Sequence, residues 1–245
     1  MKFKILIVIP SRFNSTRLPG KPLKKIGNKS MIEHVYLRAK KIGCEKVVVA
    51  TDDHRIFKHC KEKKIDVIMS NKKHKSGTDR VAEISKKFNY KWILNIQGDE
   101  PLINIKDVKN LIMKTFKQNK INKNFSVSTL YYLKKETNRD NLNEARLLTN
   151  KNNEVIIFTR KRILFKPEDN AYKKHIGIFF YKKDFLEKFS KLKKSYLEND
   201  QRLEQLRVIE NGYKIIAFRA KKLSVGVDTK KDLTHVRKLI NQNHS

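Results

Sequence analysis

The chain has 245 residues, of which 39% are hydrophobic, so it can bury a substantial core. Its 57 Lys and Arg against 25 Asp and Glu give a formal net charge of +32, which by itself would indicate a polyanionic partner such as nucleic acid. The cations are spread along the chain rather than gathered in one tail, which argues against a specific nucleic-acid-binding module. The separation of Cys44 and Cys60 fits neither a zinc site nor a redox pair and is compatible with a reducing cytoplasm.

The first half of the chain alternates between strand and helix patterns. Residues 5–9 form a continuous β-branched run, which is typical of a strand covered on both faces, and residues 31–42 have apolar side chains at helical spacing. The run 5–9 is also too short for a signal-peptide core, and no segment reaches membrane-spanning length, so we expect an unexported cytoplasmic protein without membrane contact. The elements predicted next are a strand at 46–50, a helix at 53–63, a strand at 66–69, a helix at 79–88 and a strand at 92–96.

This alternation predicts an α/β fold in which a mostly parallel central sheet is flanked by helices. Ligands of such sheets bind beyond the carboxyl ends of the strands, so the segments after Ile9, Ala50 and Ile96 are the expected site. The second half is less regular and is expected to complete the site and any subunit contact; its predicted elements are strands at 125–132, 155–159 and 176–181 and helices at 201–211 and 229–240. No repeat or linker is evident, so residues 1–245 are predicted to form one domain.

The loop after the first strand carries three cations, Arg12, Arg17 and Lys21, together with Gly20. Arg can bind phosphate oxygens with two parallel hydrogen bonds, Lys can neutralise their charge, and Gly allows backbone amides to approach, so the loop suits a triphosphate. A solvated connecting loop is the alternative from charge alone. No glycine spacing matches a dinucleotide fingerprint or a P-loop.

Two carboxylates are candidate metal ligands. Asp99 follows the strand at 92–96, where a single Asp can suffice for Mg²⁺ because the ion also takes waters and phosphate oxygens. Its alternative role is in a capped turn before Asn104. Asp228 comes late in the chain, where Thr229 and Asp232 have the spacing of a capping box, so helix capping is the alternative there, and both roles can coexist on neighbouring residues.

A third segment, Ser76, Gly77 and Thr78, stands just before a predicted helix. Backbone and hydroxyl groups of this kind can identify a pyrimidine by hydrogen bonds. A helix N-cap at Thr78 or Asp79 explains the same residues equally well.

The sequence Ser-Thr-Arg-Leu-Pro-Gly-Lys-Pro-Leu at 15–23 resembles the nucleotide-binding signature of sugar-nucleotide transferases, and closely that of the 3-deoxy-manno-octulosonate (KDO) cytidylyltransferases. Gly-Val-Asp-Thr at 226–229 is similar to the family's terminal motif, and the resemblance extends from Ile9 to Arg237. It implies a Rossmann-like fold of the nucleotide-diphospho-sugar transferase type, with a small sugar-binding and dimerisation subdomain. It also implies transfer of CMP from CTP to KDO in lipopolysaccharide biosynthesis, Mg²⁺ as cofactor and a homodimer.

The resemblance also assigns site residues. It implies catalytic roles for Lys21, Asp99 and Asp228, with both aspartates binding the metal. The residues implied to bind CTP are Arg12, Arg17, Lys21, Ser76, Gly77, Thr78 and Gln97.

Three segments of the second half resemble the family's sugar-binding motifs, and the residues they supply are Arg160, His175, Glu204 and Gln205. Taken alone, a His before an apolar strand is more often structural, and an isolated Arg is more often solvated. The sequence departs from the family at Phe179, where Tyr is common, and at residues 161–164, where a Pro normally follows Ile. One alternative function is the activation of another acidic sugar such as a sialic acid, although the Leu-Glu-Gln-Leu-Arg segment at 203–207 argues against it. The other alternative, which the high positive charge raises, is a basic nucleic-acid-binding module.

Overall fold

The structure is a computed structural model that describes residues 2–72, 74, 76–135, 144–161 and 171–242. The first elements are β1 (Phe3–Ser11), a 3-10 turn (Lys21–Leu23), β2 (Lys25–Ile26), β3 (Lys29–Ser30), α1 (Met31–Lys40), β4 (Cys44–Thr51), α2 (His54–Glu62), β5 (Val67–Met69), α3 (Gly77–Ser85), β6 (Trp92–Ile96) and α4 (Ile105–Ile121). They are followed by β7 (Val127–Lys135), β8 (Arg146–Thr149), β9 (Val155–Thr159), β10 (Ala171–Lys182), α5 (Lys183–Phe189), α6 (Tyr196–Gln201), α7 (Gln205–Glu210), β11 (Ile215–Arg219) and α8 (Lys230–Gln242).

The chain divides into two compact units. Unit 1 comprises Met1–Val108 and Ser224–Ser245, and unit 2 comprises Lys109–Leu223. The expectation of one catalytic domain over residues 1–245 stays a prediction. Among the described residues, no helix is both long and apolar enough to cross a membrane.

Unit 1 contains a parallel sheet in the order β6-β1-β4-β5. The five apolar residues from Ile5 to Ile9 are all 0% exposed, as the continuous β-branched run predicted for a strand covered on both faces. Because the strands are parallel, the segments that follow Ser11, Thr51 and Ile96 emerge at one edge of the sheet. The parallel α/β architecture is therefore confirmed, and it gathers the predicted site segments.

The last helix, α8, returns to unit 1 and buries one face. Leu233, Val236 and Ile240 lie in one buried cluster with Leu18 and Val227. Leu18 belongs to the loop after β1, and Val227 directly precedes Asp228. This cluster therefore anchors the two chain segments that carry Lys21 and Asp228.

Unit 2 has β7 at its centre. β10 pairs with β7 in antiparallel orientation, β11 pairs with it in parallel orientation, and β8 forms an antiparallel pair with β9. Large aromatic side chains fill the core, including Phe158, Phe180 and Phe189, each less than 2% exposed. Phe158 belongs to the predicted sugar-binding segment at 158–160, and its ring centroid is 5.2 Å from that of His175 in the segment at 174–178.

Two parts of the second half differ from the sequence predictions. The helix predicted at 201–211 is confirmed only as α7 from Gln205 to Glu210, because α6 ends at Gln201 and Arg202 adopts a left-handed φ of 52° between the two helices. α4 was not predicted, although Val108, Leu111 and Ile112 are fully buried at helical spacing.

Candidate active site

The loop after β1 ends in a tight turn that presents Lys21. Gly20 has a φ of +65°, a backbone conformation that favours glycine, and Lys21 begins the 3-10 turn with Pro22 behind it. Leu18 is 3% exposed and holds the loop against the buried cluster of α8. The local sequence therefore fixes where the lysine side chain starts.

Lys21 lies between the two predicted metal ligands. Its ammonium nitrogen is 2.6 Å from Asp99 Oδ2 and 3.2 Å from Asp228 Oδ1. Arg17 Nη2 is 3.2 Å from Asp228 Oδ2. The Lys21 side chain is only 13% exposed, whereas those of Asp99 and Asp228 are 31% and 44% exposed. Two cations and two carboxylates thus meet in one accessible cluster.

Backbone contacts bring Asp228 to Asp99. The Val227 amide donates to the Asp99 carbonyl oxygen at 2.9 Å. Gly226 packs on Glu100 so closely that an added Cβ would lie 3.1 Å from Glu100 Oε1, and Ser224 donates its hydroxyl to the same carboxylate. A Cβ at position 226 would crowd the Glu100 carboxylate, so glycine allows the segment that carries Asp228 to pack closely on Glu100.

The capping roles considered for the two aspartates belong to their neighbours. Asp232 Oδ2 accepts from the Thr229 amide at 2.8 Å and Thr229 Oγ1 accepts from the Asp232 amide at 3.2 Å, which is the predicted capping box. Asn104 Oδ1 accepts from the amide of Asp107 at 3.0 Å at the start of α4. The carboxylates of Asp99 and Asp228 therefore bind cations instead of capping helices.

The two carboxylates keep Lys21 charged. Burial alone would lower the pKa of Lys21, but the charges and hydrogen bonds of Asp99 and then Asp228 outweigh it, so its pKa lies above the usual value. Lys21 is therefore a fully ionised ammonium at any physiological pH.

A cavity of about 470 Å³ adjoins this loop, and Arg12 and Ser76 are among its lining residues. Ser76 Oγ accepts from the Asp79 amide at 3.1 Å, so Ser76 caps α3, and the N-cap expected at Thr78 or Asp79 is wrong. A Cβ added to Gly77 would lie 3.7 Å from Gln97 Oε1. The structure thus brings Gly77 close to Gln97, while Thr78 is fully buried.

The predicted sugar-binding residues of unit 2 are held by separate partners. Arg160 donates its amide to Gln201 Oε1 and its Nε to the Gln201 carbonyl oxygen, each at 3.2 Å. Gln205 is 7% exposed at the first position of α7, and Glu204 precedes it. A buried ion pair between Arg207 and Glu198 ties α7 to α6. These contacts hold Arg160 against Gln201 and α7 against α6.

His175 has a defined tautomer. Thr129 Oγ1 donates its one hydrogen to the Ile178 carbonyl oxygen at 2.6 Å, so the 2.9 Å contact with His175 Nε2 requires that nitrogen to be the donor. Burial, with the Arg160 charge as the second cause, lowers the pKa of His175 to about 3. The ring is therefore neutral at physiological pH, and its Nδ1 is a hydrogen-bond acceptor.

Comparison with known proteins places this geometry in a family. The family model described as Cytidylyltransferase matches residues 6–215. A 3-deoxy-manno-octulosonate cytidylyltransferase from Fusobacterium nucleatum is 43% identical over 98% of this chain and 98% of its own length, and one from Solibacter usitatus is 40% identical over 98% and 95%. The chain belongs to the 3-deoxy-manno-octulosonate cytidylyltransferases. It is therefore a nucleotidyltransferase.

Solved structures agree with the fold of this cytidylyltransferase. A CMP:2-keto-3-deoxy-manno-octonic acid synthetase complexed with CTP superposes with a TM-score of 0.90 at 36% identity, covering 98% of this chain and 100% of that chain. HddC from Yersinia pseudotuberculosis, at 14% identity, covers 96% and 99% with a TM-score of 0.71 and shows the fold alone. The nucleotidyltransferase fold predicted from the sequence is thus confirmed.

The donor atoms of the cytidylyltransferase fit a magnesium ion. Asp99 and Asp228 offer carboxylate oxygens, which are the hard donors that Mg²⁺ prefers, and one or two carboxylates suffice when substrate phosphates supply others. Across the described ranges, no group of three or more His, Cys, Asp or Glu is arranged to hold a metal. The pair therefore suits an ion that arrives with phosphate ligands, not one enclosed by protein.

Sequence analysis pointed to the segment after β4 but named no residue in it. Asp52 accepts from Arg80, whose side chain is 4% exposed, and Arg80 Nε donates to Ser70 Oγ at 2.8 Å. Asp52 and Arg80 line the same cavity as Arg12. For Asp52 the signal was its place directly after the parallel strand β4, whereas Arg80 lies within α3 and had no such signal.

One departure from the family pattern, Phe179, lies beside His175. Its ring centroid is 5.0 Å from that of His175, so an apolar ring adjoins the imidazole. Of residues 161–164, only Lys161 is among the described residues.

Proposed function

We propose that this cytidylyltransferase transfers CMP from CTP to 3-deoxy-D-manno-octulosonate, giving CMP-KDO and pyrophosphate and so activating KDO for lipopolysaccharide biosynthesis. The observation that carries the proposal is the Lys21 ammonium between Asp99 and Asp228, at the end of the loop that carries Arg12 and Arg17. Named relatives with this activity match nearly the whole chain, which supports the same assignment.

In this proposal the anomeric hydroxyl of the sugar attacks the α-phosphorus of CTP in line, and pyrophosphate leaves from the opposite side. Arg12, Arg17 and Lys21 stabilise the charge that develops on the triphosphate. When CTP binds, Lys21 and Arg17 exchange carboxylate oxygens for phosphate oxygens. No covalent enzyme intermediate is needed, so the chain requires no nucleophilic side chain.

Asp99 and Asp228 would hold Mg²⁺ in this proposal. The bound ion would neutralise phosphate charge and lower the pKa of the attacking hydroxyl. Before substrate binds, the Lys21 ammonium lies between the two carboxylates and offsets the repulsion between their charges.

The remaining candidates divide between base and sugar. Ser76, Gly77, Thr78 and Gln97 are proposed to bind the nucleotide, supported by the closeness of Gly77 to Gln97 and by Ser76 lining the cavity.

For the sugar, Arg160 is proposed to bind its carboxylate, and His175 Nδ1 to accept from a sugar hydroxyl, because that nitrogen carries no proton. Glu204 and Gln205 are proposed to bind further hydroxyls. A cytoplasmic homodimer stays a prediction.

Pyrophosphate release tests the proposal. We expect release with CTP and KDO in the presence of Mg²⁺, and little with ATP, GTP or UTP or when EDTA replaces the metal. Release with a sialic acid in place of KDO would contradict the sugar assignment. No release from any pair, together with tight nucleic-acid binding that weakens steeply with salt, would favour the nucleic-acid-binding alternative.

A further inference from the structure

Few residues of the loop between β1 and Lys21 are buried. Of residues 12–20, only Leu18 and Gly20 are buried. The loop nevertheless carries Arg12 and Arg17 and delivers Lys21 to the carboxylates. An exposed loop that presents several cations in one geometry loses binding free energy unless it is ordered before the ligand arrives. Its remaining contacts therefore decide how well it can bind a triphosphate.

Phe13 closes this loop on itself. Its carbonyl oxygen accepts from the Gly20 amide at 3.1 Å. A Cβ added to Gly20 would lie 3.0 Å from Phe13 Cζ and 3.2 Å from Cε2, so the edge of the ring packs directly on the glycine backbone. The ring thus fixes the residue that immediately precedes Lys21.

Arg55 covers the face of the same ring, with its guanidinium carbon 3.3 Å from the ring centroid. Asp53 holds the guanidinium in place, because Arg55 Nε donates to Oδ1 at 3.0 Å and Nη2 donates to Oδ2 at 2.7 Å. Asp53 is itself fixed as the N-cap of α2, where Oδ1 accepts from the Arg55 amide at 2.9 Å. A chain of contacts therefore runs from the end of β4 through Arg55 and Phe13 to Gly20.

We propose that Phe13 and Arg55 are positioning residues for the phosphate-binding loop. Both residues line the same cavity as Arg12 and Ser76, and their stack orders Gly20 and Lys21 before CTP binds, so it contributes to CTP affinity by holding the loop in place. The inference rests on the proposed function, because the loop is assigned there to the triphosphate. Since Arg stacks as a plane and Asp53 binds it at two points, Lys cannot replace Arg55.

Substitutions of the two residues test this inference by separating binding from turnover. We expect Phe13→Leu and Arg55→Lys each to raise the KM for CTP by about 10-fold, the effect of losing one stacking contact and the order that it provides. The kcat and the KM for KDO should change less than about 2-fold. Phe13→Tyr keeps the ring and should restore the wild-type KM. The matched control is Phe88→Leu, which removes a half-buried ring beyond the far end of α3 and should leave the KM for CTP unchanged.

Binding of inorganic tripolyphosphate, measured by calorimetry, tests the same inference without any enzymatic reaction. Phe13→Leu and Arg55→Lys should weaken it by the same factor, even if the wild-type protein releases no pyrophosphate and the proposed function fails. Unchanged tripolyphosphate affinity and KM for CTP in Phe13→Leu would overturn the inference. An equal loss of CTP affinity, KDO affinity and thermal stability would also overturn it, because that pattern reports general unfolding instead of loop position.

Discussion

The charged candidates Arg17, Lys21, Asp99 and Asp228 of unit 1 contact one another, whereas Arg160 and His175 of unit 2 contact residues of the surrounding scaffold. Lys21 and Arg17 contact Asp99 and Asp228 directly, so their positions depend on mutual charge. Arg160 and His175 are instead held by Gln201 and Thr129, which are outside the candidate set. The difference teaches that a site for a highly charged substrate can be preformed by its own ions, while a site for a polyhydroxylated substrate needs supporting partners.

The largest effect should come from breaking the charge cluster of unit 1. We expect Lys21→Met or Asp99→Asn to lower kcat by about 100-fold or more, because a positioned charge that stabilises the transition state is lost. Both variants should lower kcat far more than thermal stability, and Lys21→Met should lower stability more than Asp99→Asn does, because it leaves the Asp99 and Asp228 carboxylates without the cation between them. Steady-state kinetics and thermal denaturation measure both quantities. Lys24→Met, at an exposed neighbouring position, is the matched control, and near-normal kcat in either variant would contradict the assigned roles.

A smaller effect, confined to one substrate, is expected in unit 2. Arg160→Lys should raise the KM for KDO by about 10-fold, because lysine cannot bind a carboxylate at two points and loses the hydrogen bond from Arg160 Nε to the Gln201 carbonyl oxygen. The KM for CTP should stay within about 2-fold of wild type. Lys161→Met is the adjacent control. A KM for CTP that rises equally would remove the distinction between the two sets of residues.

The scaffold role of His175 predicts a pH dependence of stability. Its folded pKa of about 3 lies below the ordinary 6.5, so as pH falls below 6.5 the unfolded chain takes up a proton that the folded protein does not. The unfolding free energy should therefore fall, by about 2 kcal/mol at pH 5 from this residue alone. Urea denaturation at pH 7 and pH 5 should show a smaller loss in His175→Gln than in wild type. The exposed His235→Gln should keep the full loss, and equal losses in all three proteins would contradict the assignment.

The smallest effect concerns the helix cap beside Asp228. Asp232→Asn weakens the capping box of α8 and should cost about 1 kcal/mol of unfolding free energy. The kcat should remain within about 3-fold of wild type, because the Asp228 carboxylate keeps its own contacts with Arg17 and Lys21. Urea denaturation and steady-state kinetics on the same variant measure both. If Asp232→Asn lowered kcat as much as Asp99→Asn does, the helix cap would be part of the catalytic site, which would contradict the separate roles of Asp232 and Asp228.

The regular elements were predictable because their patterns are local. The buried run of β1 and the helical spacing of α1 fixed both elements to within two residues at each end. The break at Arg202 was not predictable, because a left-handed residue outside glycine depends on how α6 and α7 pack. The meeting of Asp99 and Asp228 was expected only from the resemblance to the family, because no local pattern joins two residues so far apart in the chain. No spacing pattern in the sequence relates Phe13 to Arg55, so their contact is seen only in the folded structure.

In the proposed function, Asp99 and Asp228 form one site for a divalent ion that CTP brings in. Electron paramagnetic resonance of Mn²⁺, used as a stand-in for Mg²⁺, measures this without turnover, in the presence of a non-hydrolysable CTP analogue. We predict one Mn²⁺ bound to the wild-type complex and the loss of that bound signal when both Asp99→Asn and Asp228→Asn are introduced, while Asp232→Asn keeps it. Undiminished Mn²⁺ binding in the double variant would contradict the account.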